Sequence, residues 1–239
     1  MSANLVPIVR IEHVEISYRD VKHQKVIIQD ASFQLFQGEM VALTGQSGAG
    51  KSILAHAMVG LLDKGFAVTK GQIMYMDENI ACFNEKRLQL LRRDDIALLI
   101  QHSLNGLDPL RLVKKQMYET IKHKKIGTKK EIESFLYTML VKVGFAHPEQ
   151  VLNSYPFELS GGMQQRVLLA MILTLQPKIL IADEPTTALD VINRDKVLTL
   201  LKELQKEFGL TILLISHDDI SVKKYADRIL YMAQGGIIG

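Results

Sequence analysis

Apolar and polar residues alternate from Val9 to Tyr18 and again from Val26 to Phe36, the period expected of strands with one buried face. The short apolar run Glu39 to Thr44 follows, so three strands are expected early, the first two as an antiparallel layer packed on a core. The period then becomes helical at Ile53 to Leu62, strand-like at Ile96 to Ile100, and helical again at Val113 to Lys122 and Lys129 to Val143. From Met163 onward helix and strand alternate: Met163 to Leu175, Lys178 to Asp183, Asp190 to Phe208, Thr211 to Ser216 and Arg228 to Ala233. That alternation predicts an α/β core with a mostly parallel sheet. No internal repeat or low-complexity linker interrupts it, which excludes a second copy of the core within the chain.

Three motifs carry the chemistry. Gly45-Gln46-Ser47-Gly48-Ala49-Gly50-Lys51-Ser52 fits GxxxxGK[ST] between a strand and a helix, the context a phosphate-binding loop needs. Its glycines let the backbone N–H groups turn inward, and the helix that follows adds a dipole favourable to phosphate oxygens. Lys51 is expected to reach the β- and γ-phosphates and Ser52 to offer its hydroxyl to Mg²⁺. The second motif, Lys178 to Glu184, is an apolar strand that ends on two carboxylates at the edge where α/β sheets bind ligands. There Asp183 is expected to hold Mg²⁺, directly or through water, and Glu184 to polarise the water that attacks the γ-phosphate. In the third, Leu159 to Leu168, Ser160 precedes Gly161 and Gly162 as the N-cap of a helix whose entry faces an anion.

With LSGGMQQR at 159–166, the sequence resembles the nucleotide-binding subunits of ABC transporters, whose signature is LSGGQ or a close variant; kinases and GTPases lack it. The resemblance covers nearly the whole chain and implies a P-loop NTPase core with a mostly parallel sheet, an N-terminal antiparallel β layer and an inserted helical subdomain. It divides a single ATPase domain, 1–239, into a core of 1–101 and 163–239 and a helical subdomain of 102–162. By the same resemblance Gln101 contacts Mg²⁺ and senses the γ-phosphate, and His217 contacts that phosphate. Tyr18 stacks on adenine and Asp190 crosses a dimer interface. Ser160, Gly161, Gly162 and Gln164 act on the ATP of a partner subunit. Two subunits pack head to tail, each ATP held between one subunit's phosphate loop and the other's signature.

Finer features resemble the peptide and nickel uptake branch of ABC importers: Tyr155-Pro156-Phe157-Glu158, the Met163 to Arg166 variant, Ala182 to Asp190, and Leu107-Asp108-Pro109-Leu110. That branch implies two integral membrane permeases and an extracytoplasmic substrate-binding protein acting through them. It also implies a second ABC ATPase, a related chain or a copy of this one. A permease helix would dock on the helical lobe around Gln101 to Met117. The cargo would be peptides or a chelated transition metal such as nickel. Two other uses of the cassette stay open, an exporter subunit or a soluble ATPase acting on protein or nucleic-acid assemblies. Exporters commonly fuse the cassette to a membrane domain, and soluble ATPases often carry two cassettes or long coiled coils; this sequence has none of these. Where the branch runs on past the last strand, this sequence ends at Gly235 to Gly239, so no C-terminal segment speaks for the cargo.

Composition changes little. At 239 residues and 47% hydrophobic, the chain can bury one full core. The single cysteine, Cys82, excludes an internal disulfide and is expected to be a half-buried strand residue. No apolar run is long enough to span a bilayer and no signal-peptide pattern opens the chain. The expected location is peripheral, on the cytoplasmic face of the cell membrane through partners. A net charge of +3, with basic clusters at Lys122 to Lys125 and Lys129-Lys130, is too small to argue for nucleic acid.

Overall fold

The computed structural model describes residues 6–20, 24–100, 106–124, 127–187 and 189–238. The chain divides into two compact units, one formed by residues 1–101 and 178–239 and the other by 102–177.

The first unit is built on one sheet of ten strands among the described residues. Strands β1 (Pro7–Arg19) and β2 (Gln24–Phe36) pair antiparallel, Ile16 opposite Ile28, and β1 also pairs antiparallel with β4 (Phe66–Tyr75), which carries the two-residue β5 (Glu78–Asn79). This is the expected antiparallel layer, with Val9, Ile11, Val14 and Ile16 on its buried face. Strands β3 (Met40–Gly45), β6 (Ile96–Leu99), β7 (Ile179–Asp183), β8 (Thr211–Ile215) and β9 (Arg228–Ala233) run parallel in the order β9-β3-β8-β7-β6. Every residue of β3, β7 and β8 is buried, as continuous apolar runs in a sheet covered on both faces require. Strand β10 (Gly236–Ile238) joins the two regions, antiparallel to β9 and parallel to β2.

Helices α1 (Lys51–Met58), α2 (Glu85–Leu90), α7 (Val191–Phe208) and α8 (Asp219–Lys223) complete this unit. Helix α1 begins two residues before the hydrophobic period suggested, since Lys51 and Ser52 are its first turn. It stops at Met58 because Gly60 turns left-handed (φ 64°) and Leu61 donates its N–H back to His56. Cys82 differs from expectation. It lies exposed in a short 3₁₀ turn, Ile80–Cys82, that the Asn79 side chain caps by accepting from the Ala81 N–H.

Asp227 ties α7 to the sheet. Its carboxylate accepts from the Met40 N–H at 2.8 Å, Lys202 Nζ at 2.6 Å and Gln205 Nε2 at 2.9 Å, and Gln205 Nε2 also donates to the Gly38 carbonyl at 2.6 Å. Partial burial alone would raise this carboxyl, but Lys202, the Met40 N–H and Gln205 hold it below its ordinary value. A depressed folded value means the stabilisation is complete above the unfolded carboxyl's range, about pH 3.9, and is lost as pH falls through the lower folded value. The side chain is 44% exposed, so Asp227→Asn is expected to cost only about 1 kcal/mol at pH 7. In urea unfolding followed by circular dichroism, the gap between variant and parent should close below about pH 4.

The second unit is helical: α3 (Val113–Thr120), α4 (Lys129–Lys142), α5 (Pro148–Leu152) and α6 (Gly161–Leu175). Thr128 and Glu131 cap α4 reciprocally. Helix α6 packs on α4 and α3, and Arg166 lies 4.6 Å over the Phe145 ring while donating to the Gly144 carbonyl at 3.0 Å. The sequence placed the end of the helical insertion at residue 162. The compact division falls after Pro177, because α6 buries Val167, Leu169, Ala170 and Leu173 and packs against these helices.

Candidate functional site

The carboxyl ends of neighbouring parallel strands deliver the chemistry. β3 ends at Gly45 and runs into the phosphate loop, β7 ends at Asp183 with Glu184 next, and β8 ends at Ile215 two residues before His217. The register sets Leu43 and Asp183 both opposite Ile215, so β7 and β8 end level and β3 runs on from that level to Gly45. They open on a cavity of about 400 Å³ lined by Ser47, Gly48, Gly50, Lys51, Ser52, Ile53, Glu184, Thr187 and His217.

The loop's shape depends on its glycines. At Gly45 (φ 134°) a Cβ would lie 2.1 Å from the Met232 carbonyl oxygen, which leaves no room for a side chain. Gly50 (φ 102°) is the left-handed N-cap from which α1 starts, so the first-turn N–H groups of that helix meet the loop. Gln46 is exposed outside the cavity lining, and Ala49 packs against the core. Lys51 is only 5% exposed, and its ammonium donates to the Gly45 and Gln46 carbonyls at 2.8 and 2.9 Å. Burial pushes this ammonium down, against the pull of the Glu184, Asp183 and Asp219 carboxylates.

Asp183 is buried and its Oδ1 has no hydrogen-bond partner. Burial raises its carboxyl, opposed by a hydrogen bond from Ser52, with Glu184 raising it further and His56 and Lys51 lowering it. An orphaned carboxylate oxygen beside a serine hydroxyl is a hard-oxygen pair of the kind that suits Mg²⁺. Among the described residues no three His, Cys, Asp or Glu side chains converge, so phosphate oxygens and water would complete such a shell.

Glu184 follows the strand in a left-handed conformation, φ 50°. Its N–H donates to the Ile215 carbonyl at 3.0 Å, and its Oε2 accepts from Thr187 Oγ1 and, at 2.8 Å, from His217 Nδ1. Burial alone would raise the Glu184 carboxyl, but Thr187, His217 and the charge of Lys51 hold it below its ordinary value. A carboxylate oxygen only accepts, so the proton of this hydrogen bond lies on His217 Nδ1. The loop after His217 is fixed by Asp218, which caps α8 and pairs with Arg194 of α7.

The remaining expected site residues lie elsewhere. Tyr18 packs on Phe66 with ring centroids 5.0 Å apart and does not line the cavity. Asp190 caps α7 by accepting from the Asn193 N–H at 3.0 Å and is exposed. In the second unit Ser160 caps α6, accepting from the Met163 N–H, and a Cβ at Gly162 would meet open space. Gln164 folds back to donate to the Pro156 and Leu159 carbonyls at 2.8 and 3.1 Å, holding the turn before α6. Gln101 lies outside the described residues. Thr187 and Ile53 line the cavity with no role assigned from the sequence; the signal for Thr187 was its place three residues after Glu184.

The family pattern described as ABC transporter matches residues 28–187. The chain is 38% identical to the metal-staphylopine import system ATP-binding protein CntD of Staphylococcus aureus over 95% of its own length and 83% of that protein's. It is 38% identical to the oligopeptide transport ATP-binding protein AppD of Bacillus subtilis, over 88% and 65%. Against the peptidoglycan transport ATP-binding protein YejF of Agrobacterium fabrum, at 36% identity, it spans only 43% of the relative's length. Among solved structures, cbiO1 of Clostridium perfringens, part of the cbiONQ ABC transporter complex, superposes with a TM-score of 0.85 at 27% identity, covering 98% of this chain and 87% of that one. A dimeric ATP-binding cassette bound to ADP and Pi superposes with a TM-score of 0.81 at 30% identity over 97% of both chains.

Proposed function

This chain belongs to the ABC transporter family of ATPases, and from that premise we propose that it is the energy-coupling subunit of an importer for peptides or a chelated transition metal such as nickel. The observation that carries the reading is the gathering of Lys51, Ser52, Glu184 and His217 around one cavity at the carboxyl ends of neighbouring strands, with buried Asp183 beside Ser52. The triphosphate of ATP would lie along the phosphate loop, with Lys51 turning from the Gly45 and Gln46 carbonyls to the β- and γ-phosphate oxygens. Ser52 and Asp183 would hold Mg²⁺, which supplies positive charge against those oxygens when bound.

Glu184 Oε1 takes the proton of a water as the water oxygen bonds to the γ-phosphorus and the bond to the β–γ bridging oxygen breaks. The products are ADP and inorganic phosphate, and the proton on Glu184 passes to phosphate or solvent. His217 holds Glu184 from one side and would present Nε2 to the γ-phosphate. Ser160, Gly161, Gly162 and Gln164 would serve the ATP of a second ABC ATPase, a related chain or a second copy, with Asp190 across the interface. Gln101 would sense the γ-phosphate and Tyr18 would meet adenine. Once the bridging γ-phosphate is gone, the two subunits can part.

The import reading rests on the relatives named for metal-staphylopine and oligopeptide transport. No helix among the described residues is long and apolar enough to cross a membrane. Two permeases would therefore carry the cargo, with this chain peripheral on the cytoplasmic face and a substrate-binding protein acting from outside. Tagged Glu184→Gln, extracted from native membranes in mild detergent with ATP, should bring down two integral membrane proteins and a second ATPase. Recovery of soluble partners without any membrane protein would overturn the import reading.

A further inference from the structure

The catalytic carboxylate is held from two sides, and one of the two holders is a residue that the mechanism above leaves unused. Thr187 Oγ1 and His217 Nδ1 both donate to the same oxygen, Oε2 of Glu184, and among the described residues Oε1 takes part in no hydrogen bond. The last torsion of a glutamate is broad, so a carboxylate with a single donor swings about it. Two donors arriving from different elements, the turn after β7 and the loop after β8, set the plane of the group and leave Oε1 free for water. Neither holder is shielded, since the His217 side chain is 54% exposed and Thr187 is itself exposed, while the Glu184 side chain they hold is 15% exposed. Thr187 is anchored close by, its own N–H donating to the Glu184 carbonyl at 3.4 Å across the same turn, and it lines the cavity.

We propose that Thr187 is a positioning residue for hydrolysis, fixing the Glu184 carboxylate through its hydroxyl so that Oε1 faces the attacking water. The proposal rests on the ATPase reading of the site. A turn-closing hydrogen bond without consequence for catalysis is the competing account, and it would show in stability instead of turnover. The distinction matters because a base displaced by a fraction of an ångström loses much of the benefit of being held near its proton.

The test uses the full chain, measuring steady-state phosphate release and, separately, equilibrium binding of a fluorescent ATP analogue. Thr187→Val keeps the shape and removes the donor. Its kcat should fall about ten- to a hundredfold, the scale of one hydrogen bond to a charged group, while nucleotide affinity stays within about twofold. Thr187→Ser restores a hydroxyl and should return kcat to within about threefold of the parent. In the Glu184→Gln background Thr187→Val should add nothing to the loss, because it acts through the carboxylate. Parental kcat in Thr187→Val, an equal loss in Thr187→Ser, or additive losses with Glu184→Gln would each overturn the positioning role while leaving the ATPase reading intact. Failure of the parent protein to hydrolyse ATP would remove both.

Discussion

Glu184→Gln is expected to bind ATP with an affinity close to that of the parent protein and to hydrolyse it about 10² to 10⁴ times more slowly, the usual cost of removing a positioned general base. The amide keeps the length of the side chain and an oxygen that can accept from Thr187 or His217, so the cavity keeps its shape. What disappears is the proton acceptor. The carboxyl sits below its ordinary value because its donors and Lys51 offset burial, so in the parent it is ionised and ready to accept at neutral pH. Equilibrium binding of a fluorescent ATP analogue beside phosphate release separates the two effects. Loss of binding in step with turnover would mean that Glu184 shapes the pocket without acting on the water.

The second large effect is the converse. Lys51→Ala should weaken ATP binding by about a hundredfold or more, since it removes the charge-assisted contacts expected on two phosphates. The fold should tolerate it. The ammonium is nearly buried and burial already pushes it down, so removing it relieves a desolvation cost while leaving two carbonyls without its donors. A melting temperature within about 4 °C of the parent, together with lost binding, is the expected pairing. A large fall in melting temperature with binding preserved would assign Lys51 to the fold and not to the nucleotide.

Much of this site is legible in the sequence because its parts are local. The phosphate loop, the Asp183-Glu184 pair and the Ser160 cap each occupy a few consecutive residues beside a buried strand or a long helix, and short-range pattern suffices for those. The antiparallel layer is equally plain, since β1 and β2 are 13 residues each and alternate over much of that length, with breaks where their pairing register shifts. Strand β4 was not legible: it buries only Ile73 and Tyr75, and Gly71 with charged or polar neighbours hides the strand period. Helices α5 and α8 have five residues each, too few to show a helical period, and are held by caps and packing.

The bond from Thr187 to Glu184 depends on a left-handed residue at the end of β7, a conformation that residue type does not announce. The placement of Cys82 in an exposed turn depends on the Asn79 cap and not on any hydrophobic period. Gln164 reads as a signature residue in sequence, while its geometry gives it a holding role in its own turn.

The most direct test is a single-turnover experiment in which the protein, in excess over radiolabelled ATP and Mg²⁺, is sampled over time for bound nucleotide and released phosphate. The account predicts that the parent binds and then converts the label to ADP and phosphate, that Glu184→Gln binds and retains intact ATP, and that Lys51→Ala binds almost none. Equal phosphate release by Glu184→Gln and the parent would contradict it.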